Sequence, residues 1–243
     1  MELFEIWLIE MILLAVGVGF ASFSFIYKSF RKIELKSVSR YYFGLGIFFL
    51  AFTFNGFLDF LEQYNFWVVG QNGIFPNWNL LPGESVTFYL MIPILQFAFV
   101  MLSLQIETFI LQREKKRLTT VLTVCFIISL TIFTTPLFPD SMKYIWSFIL
   151  NATLVPYAMI VLYWGVFYLR LAKNSAGIVR NKALKVGFGL GMIMCGIIFD
   201  TMYRAIVLSN SMEIIWFFPI LFKFIAIIGI PLLYSGLQTS ESE

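Results

Sequence analysis

The stretch FFPILFKFIAIIGIPLLYSG, residues 217–236, carries one charged side chain, Lys223, among nineteen uncharged residues. Twenty such residues wound as a helix are about 30 Å long, the thickness of a bilayer's hydrocarbon core. Six further apolar runs precede it, so the constraint repeats along the chain. Of the 243 residues, 60% are hydrophobic and only 13% charged. That surplus of apolar surface exceeds what one soluble core of this size can bury. The pattern therefore predicts an all-α integral membrane protein: a single seven-helix transmembrane domain over residues 1–243. The expected spans are about 5–27, 41–63, 85–111, 118–136, 142–170, 183–208 and 214–236. The fourth is the shortest and ends at TTPLFPD, where Pro136 and Pro139 stop a helix. Glu2, Glu5 and Glu10 stand where a signal peptide would be basic, so the first span is expected to be retained.

Direction follows from the loops. Lys28, Arg31, Lys32, Lys36 and Arg40 fall between spans one and two. Arg113, Lys115, Lys116 and Arg117 fall between spans three and four. Arg170, Lys173, Arg180, Lys182 and Lys185 fall between spans five and six. These are fourteen of seventeen basic residues, and all lie on one side. The excess puts the N-terminus outside and the C-terminus in the cytoplasm of a cell-membrane, multi-pass protein. Anionic lipids, or a membrane or cytoplasmic protein partner, are expected at Arg31, Lys32, Lys115, Lys116 and Arg180. Nucleic acid is not an expected partner. The loop between spans two and three, with Trp67 and Trp78, has no basic residue and is expected at the outer interface.

With direction fixed, depth can be counted. Lys223 lies about 13 Å from the outer end of its span, and Asp200 about 12 Å on the preceding, antiparallel span. A lone charge at such depth costs at least ~2.5–3.5 kcal/mol. An ion pair between them is expected, with Arg204 one turn outward of Asp200. Asn55, Asp59 and Glu62 follow one another at helical spacing on span two. Tyr89 and Gln96 share a face of span three with Ser103 and Glu107; Asn151 lies on span five and Glu10 near the outer end of span one. The outer half therefore gathers polar groups, whereas the inner half reads as almost purely apolar. Asp200, Lys223, Arg204, Asn55, Asp59, Gln96, Asn151 and Tyr89 are the candidate ligand-binding or coupling residues. Pro93, Pro156 and Pro219 fall inside expected helices and permit kinks. GFGLG at 187–191, with Gly196 beyond it, allows close approach of a second helix, either within the bundle or at a dimer seam.

The chain has no histidine. That removes His-ligated haem, the common zinc and copper sites and histidine-based triads. No nucleophile–base pair or metal cluster stands out, so neither an enzyme nor a metal centre is expected. Cys125 and Cys195 sit in apolar runs and are expected to be small buried thiols.

The segment RLAKNSAGIVRNKALKVGFGLGMIMCG, residues 170–196, is a short basic loop followed by a glycine-bearing helix. With the topology above, it resembles the prokaryotic seven-helix membrane sensor modules found before histidine kinases. The resemblance implies a receptor-like sensor with an outward-facing polar pocket. No output domain follows span seven, so output is expected through a separate partner. Lys223 also resembles the retinal-binding lysine of microbial rhodopsins, but Pro219 stands where their pattern has a carboxylate one turn earlier. No retinal and no other cofactor is expected. Two other functions fit the same residues: a transporter or ion/proton pathway using Asp200 and Lys223, and a structural subunit of a larger membrane complex.

Overall fold

A computed structural model describes residues 2–64, 86–134, 149, 152–209 and 217–238. These residues form seven α-helices and no strand: α1 Glu2–Arg31, α2 Lys36–Tyr64, α3 Val86–Gln105, α4 Arg117–Thr134, α5 Leu154–Lys173, α6 Gly177–Ser209 and α7 Phe217–Leu237. Three stretches within them, Lys36–Leu58, Leu90–Ile110 and Leu154–Lys173, are long and apolar enough to cross a membrane. Arg117–Ile132 and Phe224–Leu237 are shorter apolar helical stretches. Each helix falls on one expected span.

Two boundaries differ for identifiable reasons. The expected third span continues past Gln105 as a π-helical turn, Ile106–Ile110, closed by the Leu111 N–H donating to the Ile106 carbonyl at 2.9 Å. Gln112 follows in the left-handed region with φ 49°. The fifth span was expected as one helix over 142–170. Instead a turn at Thr153 precedes α5, and Pro156 is the third residue of that helix, not an interior one. A first-turn N–H has no acceptor within its helix, so proline is tolerated there. Pro219 is likewise the third residue of α7, whereas Pro93 and Pro231 are interior to α3 and α7.

The chain groups into two compact units, one of Val18–Tyr157 and one of Met1–Gly17 with Ala158–Glu243. In the first, α2 and α3 are antiparallel and joined by rings. Phe48 and Phe52 lie 6.0 and 5.9 Å from Phe99, and Tyr41 lies 5.7 Å from Phe109. Phe25, Leu45, Phe49, Leu102 and Leu122 are fully buried. Ser22 of α1 donates to the Gly46 carbonyl at 3.0 Å, and a Cβ at Gly46 would come within 2.5 Å of Ile26.

In the second unit α6 and α7 meet backbone to backbone. A Cβ on Gly189 would fall 2.7 Å from the Leu233 nitrogen and 2.8 Å from the Gly229 oxygen; one on Gly196 would fall 2.5 Å from the Phe222 oxygen. Gly189 and Gly196 thus pack within the unit, whereas a Cβ on Gly191 would meet nothing within 4 Å. Elsewhere large apolar side chains are exposed, among them Phe20, Phe23, Phe30, Val155, Met159 and Phe188. Faces of this kind suit apolar surroundings. The thiols are not the buried ones expected: Cys195 is exposed and Cys125 only half-buried. An apolar run in such a chain supplies outward positions as well as core ones.

Candidate functional site

The residues of α2 that meet α3 are Tyr41, Gly44, Phe48 and Phe52, at helical spacing. Asn55 continues that stripe, and the antiparallel register puts it level with Gln96. Gln96 is wholly buried, and its Nε2 donates to the Thr153 hydroxyl at 2.7 Å. The Thr153 and Ser129 hydroxyls meet at 2.8 Å, and Ser129 donates to the Cys125 carbonyl at 3.0 Å. Three sequence-distant segments are thereby tied together by one short polar chain. Two buried acceptors near this level have no partner, Gln96 Oε1 and Asn55 Oδ1. A buried acceptor left unpaired costs about 1–3 kcal/mol. No hydrogen bond joins Asn55 to Gln96.

A second polar centre lies at the end of this unit that carries the basic loops. It corrects the expectation of an almost purely apolar inner half. Glu107, in the π turn, has no exposed surface. Its carboxylate accepts from the Thr119 N–H at 2.9 Å and the Thr119 hydroxyl at 2.8 Å, with the Leu118 N–H at 3.5 Å. The Thr119 and Ser103 hydroxyls meet at 3.2 Å, and Arg113 Nη1 stands 3.7 Å from Glu107 Oε1. Leu118 and Thr119 are in the first turn of α4, whose N–H groups have no acceptor within the helix. The carboxylate supplies one, and the helix dipole favours a negative charge there. The π turn aims Glu107 at α4. Between the two centres the Tyr157 hydroxyl donates to the Leu122 carbonyl.

In the other unit, Asp200 and Lys223 lie on α6 and α7. Gly189 opposite Gly229 and Leu233, and Gly196 opposite Phe222 and Ala226, set the register of the two helices. Asp200 is four residues beyond Gly196 on the contact stripe of α6. Lys223 lies beside the stripe of α7, with an axial offset between the two of roughly 4.5 Å. The side chains of Asp200, Lys223 and Arg204 lie outside the described residues, as do those of Glu10, Asp59, Glu62 and Tyr89, and Asn151, Trp67 and Trp78 altogether.

Of the expected contact residues at the basic loops, Arg31, Lys32, Lys115 and Arg180 are exposed and Lys116 is half-buried. Arg31 sits 5.8 Å from the Tyr27 ring and Lys28 6.0 Å from that of Tyr42.

Gln96 and Asn55 stand out in the sequence as polar residues of apolar runs, but their surroundings do not. Thr153 and Ser129 are lone hydroxyls in apolar runs. The role of Glu107 had one visible signal, an acidic residue a short loop before a helix start. Among the described residues no cluster of histidine, cysteine, aspartate or glutamate is arranged to hold a metal. Compared with protein-family models, curated proteins and solved structures, the chain matches none of them.

Proposed function

We propose that this is a seven-span protein of the cell membrane, N-terminus outside and C-terminus cytoplasmic, acting as a receptor-like sensor. A small ligand binds in its outer polar layer, and the signal leaves through a separate partner at the basic loops. The observation that carries the reading is Gln96: a wholly buried side chain, hydrogen-bonded at one end and unpartnered at the other. Polar groups buried in a membrane bundle often only join helices, at about 0.6 kcal/mol each. A group serving that purpose alone has no reason to leave an acceptor empty. Asp200 and Lys223 form an ion pair in their own unit, since either charge alone is costly at that depth. The orientation rests on the fourteen basic residues of three loops.

Affinity purification at native abundance tests the reading. A stoichiometric partner is expected, and its bound state should respond to Gln96→Leu without loss of the complex. A partner that stays bound and functions normally in that variant would make the chain a structural subunit. Uptake or conductance by the purified chain alone in liposomes would make it a transporter.

A further inference from the structure

Open oxygen acceptors gather around Gln96. Gln96 Oε1 is buried and unpartnered. Helical side chains lean toward the N-terminus of their helix, so Gln96 leans toward Pro93. Proline has no N–H, so the Tyr89 carbonyl, on the same face, loses its usual helical donor. The backbone turns at Thr153 instead of continuing its helix. Asn55 Oδ1 is one more empty acceptor at this level. Among the described residues, one N–H of the Gln96 amide goes to the Thr153 hydroxyl, and the Ser129 hydroxyl, which also meets that of Thr153, donates to the Cys125 carbonyl. The described cations of this unit, Lys28 to Arg40 and Arg113 to Arg117, stand at the opposite end of its helices.

A water molecule fits such a place poorly. Its two protons cannot serve all three oxygens, Gln96 Oε1, the Tyr89 carbonyl and Asn55 Oδ1. A species that only donates, or that only needs oxygens, fits better. We propose that the Gln96–Thr153 junction binds a monovalent cation, an alkali ion or the ammonium group of a small amine, on amide and backbone carbonyl oxygens. Carbonyls freed where a membrane helix is interrupted serve cations in this way. The proposal assigns a ligand class to the polar layer and rests on the reading that this layer binds a ligand.

The test is thermal unfolding of the full chain in detergent. It starts in choline chloride, which is replaced stepwise at constant ionic strength by NaCl, KCl or methylammonium chloride. Choline is bulky and has no N–H. At least one replacement should raise the midpoint saturably, by about 5 °C at saturation. Response to Na⁺ or K⁺ alone identifies an alkali ion; response to methylammonium alone identifies an ammonium group. Gln96→Met should abolish the rise. Gln96→Glu, which puts a charge where the empty carbonyl was, should lower the half-saturating concentration about tenfold or more. If Gln96→Met does not fold, the Gln96→Glu comparison decides. The proposal is overturned if no cation differs from choline, if the rise survives in Gln96→Met, or if Gln96→Glu leaves half-saturation unchanged. Should neutral compounds stabilise the chain through Gln96 while no cation does, the cation fails and the pocket stands.

Discussion

Gly189 and Gly191 stand two residues apart on α6, and alanine should have opposite effects at the two. A Cβ on Gly189 would meet the Leu233 nitrogen at 2.7 Å, the Gly229 oxygen at 2.8 Å and the Leu233 Cα at 3.0 Å. All three are backbone atoms, so none can rotate away. Ordinary separation is ~3.5 Å, so α6 and α7 must part by several tenths of an ångström along their contact. Overpacking of this kind costs about 1–3 kcal/mol. Alanine's better helix propensity returns ~0.8–1.0 kcal/mol. The clash outweighs it, leaving Gly189→Ala destabilised by about 1 kcal/mol. Gly191 meets nothing within 4 Å. There only the propensity gain remains, so Gly191→Ala should be stabilised by ~0.5–1 kcal/mol. The difference, near 2 kcal/mol, is about 30-fold in the unfolding constant. Reversible unfolding in mixed micelles, followed by tryptophan fluorescence, resolves it. Equal effects at the two positions would refute the packing argument. Loss of a dimer in Gly191→Ala would show instead that the open glycine faces a second copy.

Three other outcomes are expected. Glu107→Leu removes two short hydrogen bonds to a buried carboxylate and should cost about 3 kcal/mol in the same assay, whereas Glu107→Gln, keeping an acceptor, should cost about 1; equal costs would mean the α4 cap is unimportant. Cysteine placed at Gln71 should react with an impermeant thiol reagent in intact cells and cysteine placed at Lys115 should not; the reverse pattern would overturn the orientation. Lys223→Ala and Asp200→Asn should each destabilise, and the double variant should lose less than either alone, because no unpaired charge remains; simple additivity in the double-mutant cycle would rule out the pair.

Helices were legible in the sequence because apolar runs of the right length are themselves the signal, and the basic residues marked where they end. The interior was less legible. Phe25 is completely buried while Phe23 is 71% exposed, although the two are chemically identical and two residues apart. In a soluble helix, polarity distinguishes outward from inward positions. In a chain built for lipid both faces are apolar, and the distinction rests on small residues and packing. The same ambiguity led to the wrong expectation for Cys195. The turn at Thr153 and the π turn at Ile106 depend on what neighbouring segments present. A proline three residues after Thr153 pointed to the first. The second requires knowing that the α4 N-terminus sits beside Glu107, which spacing alone does not reveal.

Whether the polar groups of α3 and α4 hold a ligand or conduct one turns on what each can exchange. From the Gln96 level toward the basic loops, the groups on α4 come about one per turn: Ser129, the Cys125 carbonyl, the Leu122 carbonyl, then Thr119. A proton relay needs every member to donate and accept in turn. A backbone carbonyl only accepts, so the chain from Gln96 stops at Cys125. The Tyr157 hydroxyl could bridge onward, but it is committed to the Leu122 carbonyl. A hydrated ion would need width instead, and Val100, Leu102 and Leu122 are buried among these positions. On the proposed reading, an occupant of the Gln96 level would therefore be retained there. What can pass to the basic end is displacement, because Ser129 and Thr119 belong to one helix whose first turn is held by Glu107. That arrangement favours a sensor over a conduit, and it predicts that weakening the Glu107 cap will blunt the partner's response while leaving the cation midpoint shift intact. If the shift disappears with the cap, the two centres are one structural unit and the division between site and readout is wrong.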